Sequence, residues 1–218
     1  LQEMSAFKIS NKLFNVCDKL KENRDDFAEL LTKEVGKPIN ESYVELDRSV
    51  ETLKLAAEEA KRIYGESVPL DAGLNGKGFF AFTQKLPLGV VAAITPFNYP
   101  VNLAIHKLAP ALAARNTVIL KPSKEAPLSG LMLAEILANH FPEGVINTLT
   151  GSGKLIGDLL VTNDDINKIT DDDIKELQDT IPEKYQNEYK ATDSGIKYVG
   201  KDEKVQEAES KCVRFCWA

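Results

Sequence analysis

The spacing of apolar and polar positions divides this chain into three textures. Over residues 4–32, Leu13, Cys17, Leu20, Phe27 and Leu31 recur near the 3.6-residue period with charges between them. That spacing predicts one amphipathic helix. Gly36-Lys37-Pro38 ends it, as Gly and Pro usually do. A second helix is expected to start near Ser42, with Glu45 completing a Ser-x-x-Glu capping box. Its buried stripe reads as Tyr43, Leu46, Val50, Leu53, Ala57, Ala60 and Tyr64. Two such helices joined by a short loop pack as an antiparallel pair.

The second texture is built from continuous apolar runs. Residues 71–78 read as a flexible turn and Phe79–Leu86 as a strand. Then follow strand 89–94, helix 99–114, strand 117–121, helix 126–140, strand 145–149, helix 152–162 and strand 166–169. Runs without alternation imply strands buried on both faces. Alternating strands and helices imply βαβ units, a parallel sheet and right-handed crossovers. The expected fold is α/β: a doubly wound, Rossmann-like parallel sheet with flanking helices, preceded by the helix pair.

After Ile169 the third texture begins at Asp171-Asp172-Asp173, and Leu, Ile, Val and Phe make up only 8 of the last 49 residues. That composition leans toward disorder or a marginal helical appendage. The expected organisation is therefore a folded unit over 1–169 (helix pair 4–64, β/α units 79–169) and a polar acidic tail over 170–218.

Composition narrows the function classes. The 218 residues carry a net charge of −6, with pI near 5.1. This balance argues against a nucleic-acid or anionic-membrane partner. No apolar run approaches the ~20 residues that span a bilayer, and the chain opens into an amphipathic helix rather than a signal-peptide pattern. Three cysteines make no disulfide framework, so a cytoplasmic protein with reduced thiols is expected. Cys17 falls on the apolar helix face and reads as core. Cys212 and Cys216 stand at i, i+4 without the further ligands a metal pair needs. No metal is expected.

The candidate chemistry lies between Leu86 and Lys124. Asn98 follows one parallel strand and Lys121 ends the next. In open α/β sheets ligands bind at that edge. An amide donor beside a cation suits an anionic cofactor and a reaction that develops an oxyanion. A turn Asn satisfying local backbone and a surface lysine at a strand end are the alternatives. The turn Thr95-Pro96-Phe97-Asn98 lacks the G-x-G-x-x-G of ordinary dinucleotide folds.

Three motifs agree in order and spacing: Ile94-Thr95-Pro96-Phe97-Asn98-Tyr99-Pro100, Lys107-Leu108-Ala109-Pro110-Ala111-Leu112-Ala113, and Asn116-Thr117-Val118-Ile119-Leu120-Lys121-Pro122-Ser123. With Gly144 to Gly153 downstream and Gly36-Lys37-Pro38 upstream, they closely resemble the aldehyde dehydrogenase superfamily. The texture is most similar to its lactaldehyde and non-phosphorylating glyceraldehyde-3-phosphate branch. The resemblance fades near Ile169, so the chain reads as an N-terminal portion of such an enzyme.

The resemblance implies oxidation of an aldehyde to a carboxylate with NAD(P)+. It makes Asn98 the oxyanion donor and Lys121 a ribose contact. The backbone of Ile94, Thr95, Pro96 and Phe97 becomes a cofactor wall, with Ser123 beside it. It makes Gly153 and Gly157 the small residues beside the adenosine, although a turn or packing role suits either equally. Lys107 matches a lysine near the active site, with a solvated helix lysine as the alternative; His106 reads as structural. The resemblance also gives the strand around Phe79–Gln84 an oligomerisation role, so self-association is expected.

Two departures matter. Many members carry Glu where this chain has Lys124. An ammonium attracts a 2′-phosphate that a carboxylate repels, so NADP is slightly favoured over NAD, with Glu125 adjacent and able to shift the balance. Arg115 stands where Gly commonly precedes the Asn, and Asn116 is expected to take any left-handed conformation there. The family's nucleophilic Cys in Gly-Gln-x-Cys and its general base in Glu-Leu-Gly-Gly do not occur in this sequence. Both are needed for turnover, so the chain alone is expected to be inactive. The alternative is a non-catalytic nucleotide-binding or interaction module.

Overall fold

The computed structural model describes residues 1–170, 189–192 and 195–198. Three helices open the chain: α1 (Ala6–Glu22), α2 (Arg24–Val35) and α3 (Ile39–Glu59). The single helix expected over 4–32 is thus two. The break falls at Asn23, whose side-chain amide donates to the Lys19 carbonyl at 2.8 Å. A short polar side chain competing for backbone partners favours a helix end.

The second helix starts at Ile39, not near Ser42, because Pro38 supplies the entry. Ser42 and Glu45 are buried in its interior, and no capping box forms. Ser42 Oγ instead lies 3.0 Å from Thr32 Oγ1 on α2. The expected stripe is buried at Leu46, Val50, Leu53, Ala57 and Ala60, but Tyr64 lies beyond α3 and is exposed.

A small antiparallel ribbon follows, β1 (Ser67–Val68) with β2 (Ala81–Phe82). The strand expected over Phe79–Leu86 is therefore only two residues long. Phe79, Phe80 and Phe82 are all exposed, so no buried face extends it.

The β/α region comprises β3 (Val90–Ile94), α4 (Pro100–Ala113), β4 (Thr117–Lys121), α5 (Pro127–His140), β5 (Ile146–Thr148), α6 (Gly153–Thr162) and β6 (Lys168–Thr170). The expected elements are present, most trimmed at their ends. The four strands run parallel in the order β5-β4-β3-β6. Side chains alternate between two cores. Val91, Ala93, Val118 and Leu120 face α4, α5 and the N-terminal helices. Ala92, Ile94 and Ile119 face α6 through Leu160, Val161 and Ile156. Helices therefore cover both faces, and the expected α/β class is the observed one.

Within 170–218, β7 (Tyr189–Thr192) and β8 (Gly195–Tyr198) form an antiparallel hairpin. Ile196 of β8 pairs with Ile169 of β6, also antiparallel. These residues are strand; the rest of the expected tail lies outside the described residues. The β6 edge is paired, which removes an exposed strand edge. Cys212 and Cys216 lie outside the described residues. Among the described residues, no helix is long and apolar enough to cross a membrane.

Candidate active-site edge

The chain leaves β3 and β4 at the same edge. Ile94 pairs with Lys121 in register, and the Thr95 N–H donates to the Lys121 carbonyl at 3.1 Å. The turn carrying Asn98 and the segment Lys121–Lys124 are therefore brought together. The strand order reverses between β3 and β6, which makes this edge the topological switch point where α/β sheets bind ligands. Lys121 and Thr95 are buried, Ile94 and Pro96 half-buried, Phe97 exposed. The Thr95 hydroxyl has no hydrogen-bond partner among the described residues. A buried hydroxyl left unpaired is costly, and Ser10 Oγ and Asn102 Oδ1 share that state.

Asn98 is held at two points. Its Oδ1 accepts from the Tyr99 N–H at 3.0 Å, and its backbone carbonyl accepts from Lys37 Nζ at 2.8 Å. Its side-chain NH2 has no partner among the described residues, so the donor end of the amide is the free end. Lys37 also pairs with Glu45 at 2.5 Å. Glu45 Oε1 in turn accepts from the N–H groups of Val101 and Asn102 at 2.8 and 3.0 Å.

Sequence reasoning missed both Lys37 and Glu45. A signal was present: α4 and α5 begin with Pro100 and Pro127, and Tyr99 and Ala126 before them cap nothing with their side chains. Their orphan N–H groups need acceptors from elsewhere. Glu45 serves α4, and Glu34 serves α5 through the Leu128 and Ser129 N–H groups at 2.5 and 3.0 Å. Carboxylates thus occupy two helix N-termini that could otherwise attract phosphate.

Beyond Lys121, Ser123 Oγ donates to Glu125 Oε2 and Lys124 Nζ lies 3.4 Å from Glu125 Oε1. The Ser123 hydroxyl first, and Lys124 after it, hold the Glu125 carboxyl below its usual range. Glu125 is thereby tied to its own loop, while Lys124 is exposed. On α6, Gly153 and Gly157 have no described atom within 4 Å of where a Cβ would stand. The described packing therefore does not require glycine at either position; Gly153 is half-buried and Gly157 buried.

Lys107 is buried in α4, which removes the solvated-helix alternative. His106 is exposed, and its Nε2 lies 3.5 Å from Thr52 Oγ1 on α3. Arg115, not Asn116, takes the left-handed conformation, at φ 64°. Asn116 uses its side chain instead: Oδ1 accepts from the Leu88 and Gly89 N–H groups at 2.7 and 3.0 Å, and this fixes the entry to β3. Cys17 is core, as expected. Burial pushes its thiol up to about 11.

The sequence profile of the aldehyde dehydrogenase family matches residues 1–171. This chain belongs to the aldehyde dehydrogenase family. A 3-sulfolactaldehyde dehydrogenase of Priestia aryabhattai is 49% identical over 167 residues, covering 76% of this chain and 35% of that protein. A lactaldehyde dehydrogenase of Methanococcus maripaludis is 40% identical over 175 residues, covering 78% and 36%. Among solved structures, an NADP-dependent glyceraldehyde-3-phosphate dehydrogenase of Bacillus halodurans, complexed with NADP, superimposes with a TM-score of 0.78. Its identity is 36%, and 84% of this chain and 40% of that one are covered. The chain spans about a third of the length of the curated relatives it matches. It resembles the lactaldehyde and sulfolactaldehyde branch of the aldehyde dehydrogenase family.

Proposed function

We propose that this chain supplies the cofactor-binding part and the oxyanion donor of an NAD(P)+-dependent aldehyde oxidation. The overall reaction is RCHO + NAD(P)+ + H2O → RCOO− + NAD(P)H + 2 H+. The observation that carries the reading is the Ile94–Lys121 register, which brings the Asn98 turn and the Lys121–Lys124 segment to one edge. No described atom stands within 4 Å of a Cβ added at the half-buried Gly153, which supports room for a nucleotide beside the start of α6. When bound, the nicotinamide would accept the hydride.

In this reading Asn98 offers its side-chain N–H to the oxygen of the substrate as negative charge develops. A neutral, preorganised donor does this without competing for protons. Lys121 and Ser123 hold the adenosine ribose, and Ile94 to Phe97 wall the cofactor. Lys124 meets the 2′-position, where its charge favours NADP. The thiolate nucleophile and the general base would come from outside this sequence, so the chain alone is expected not to turn over aldehyde. A small hydroxylated aldehyde suits the groove of about 750 Å3 along α3 and α4, whose walls include Asp47, Arg48, Glu51, Thr52, Asn102 and His106. Asn102 lies four residues beyond Asn98, in the first turn of α4. The relatives' names point to substrates of the same kind.

A second reading is a non-catalytic nucleotide-binding or interaction module derived from that fold, with β7 and β8 part of its folded unit. The pairing of β8 with β6 favours it, because that contact closes the sheet edge from within this chain.

Calorimetric titration of the purified chain with NADP+ and NAD+ tests the nucleotide site. NADP+ should bind at least as tightly as NAD+, and Lys124→Glu should weaken NADP+ about tenfold while sparing NAD+. Binding of neither nucleotide would overturn both readings. Aldehyde-dependent NADPH formation by the chain alone would overturn the assignment of nucleophile and base to residues outside it.

A further inference from the structure

We infer that Lys37 and Glu45 are a positioning pair for the Asn98 turn: Lys37 fixes the backbone of the donor residue, and Glu45 anchors the helix that follows it. The inference rests on Asn98 being the oxyanion donor.

The pair is nearly removed from water. The Glu45 side chain is 0% exposed and that of Lys37 10%. Burying two opposite charges adds little net stability and is costly unless every lone pair and proton is used. Here they are used. One Glu45 oxygen takes Lys37, and the other takes the Val101 and Asn102 N–H groups. The Lys37 ammonium takes Glu45, the Asn98 carbonyl, and the face of the Tyr99 ring, with Nζ 4.6 Å from its centroid. Apart from the bond between the two, every one of these contacts falls within residues 98–102, the turn and the first helical residues after it.

The chemistry gives this placement a purpose. An oxyanion donor works when it is preorganised, held within roughly half an ångström of its productive position by supporting contacts. The Asn98 turn is exposed at the edge and has no N-cap side chain of its own. Asn98 spends Oδ1 on the Tyr99 N–H, which fixes the rotation of the amide, but that bond holds only if the backbone around it is fixed. Lys37 fixes it from the loop between α2 and α3, across 61 positions of sequence. A simple α4 cap would need Glu45 alone. The Lys37 bond to the Asn98 carbonyl is the part that a cap does not explain.

The test separates the two residues' parts in the 218-residue chain. Lys37→Met removes both the carbonyl bond and the ion pair while Glu45 Oε1 can still accept from Val101 and Asn102; Lys37→Arg keeps charge and donors. Hydrogen exchange by NMR reads the Tyr99, Val101 and Asn102 amides, with Leu120 of β4 as the marker of global folding. The Asn98 side-chain NH2 signals report the donor itself. In Lys37→Met, Tyr99 protection should fall about tenfold and the Asn98 NH2 signals should move toward the shift of a solvated Asn. Val101 and Asn102 should stay protected, and Lys37→Arg should restore the wild-type pattern. Unchanged Asn98 and Tyr99 signals in Lys37→Met would overturn the inference, as would loss of protection at Val101 and Asn102 equal to that at Tyr99. Where Leu120 protection is also lost, Lys37→Gln replaces Lys37→Met and must show the same split. NADP+ affinity should be unchanged in these variants; a parallel fall would make the pair a support for the whole edge and overturn the specific role. Failure of the wild-type chain to bind NADP+ would sink the functional reading while leaving this comparison intact.

Discussion

Glu45 Oε1 accepts the N–H of Val101 at 2.8 Å, so a carboxylate from the middle of α3 serves as the N-cap of α4. The same carboxylate neutralises Lys37. Glu45→Ala therefore orphans two backbone donors and leaves a buried cation unpaired. Removing one partner of a buried pair typically costs about 3–5 kcal/mol. Glu45→Gln keeps an acceptor and should cost clearly less. Urea denaturation of the two variants checks the order; equal midpoints for Glu45→Ala and wild type would contradict it.

Arg115 at φ 64° is the only non-glycine residue with positive φ among the described residues. A left-handed conformation costs a side-chain-bearing residue on the order of 1 kcal/mol, and Gly escapes most of it. Arg115→Gly should raise the melting temperature by a few degrees. Asn116→Gly should do the opposite, because the Asn116 amide is bonded to Leu88, Gly89 and Ala111. Thermal unfolding of both variants gives the answer, and a stabilised Asn116→Gly would contradict the assignment.

These cases show where sequence reasoning reaches and where it stops. Val90–Ile94 and Thr117–Lys121 were legible because strands buried on both faces need unbroken apolar runs. The same strand ends announced that Asn98 and Lys121 share an edge, since parallel strands deliver their carboxyl ends together. The break at Asn23 was not legible, because Leu20 and Phe27 stay in phase across it and both are buried. Nor was the task of Glu45: its partners are 56 and 57 positions away, whereas the Ser42 that suggested a local cap is only three. Lys37 was hidden for a related reason. Gly-Lys-Pro reads as a helix terminator, and Gly36 does end α2 at φ 74°, but nothing local says where the lysine points. Arg115 and Asn116 were exchanged because conformational preference favours Asn for left-handed φ, while three side-chain hydrogen bonds hold Asn116 elsewhere.

Cys17 gives a pH dependence with a definite sign. Burial raises its thiol from 9.0 to about 11 in the fold, so the folded state favours the neutral form. The contribution is fully present below the unfolded pKa near 9 and is lost as pH rises through about 11. The total is on the order of 2–3 kcal/mol. Stability of wild type relative to Cys17→Ala should fall between pH 9 and 11, and the thiol should resist alkylation at pH 8. A difference between the two proteins that stays flat across that range would show the thiol to be accessible.

Gly157 separates a folding role from a ligand role in one substitution. It lies inside α6, where Gly costs a helix about 1 kcal/mol relative to Ala, and no described atom stands within 4 Å of an added Cβ. Gly157→Ala should therefore stabilise the chain by roughly that amount, with no clash to offset the gain. If a nucleotide lies against this helix, the same methyl group intrudes on it, and NADP+ affinity should fall severalfold as stability rises. Thermal unfolding without nucleotide and calorimetric titration with NADP+ measure the two effects separately. A variant more stable and equally tight would remove Gly157 from the cofactor site. One less stable would show that the glycine is held by contacts of the protein itself.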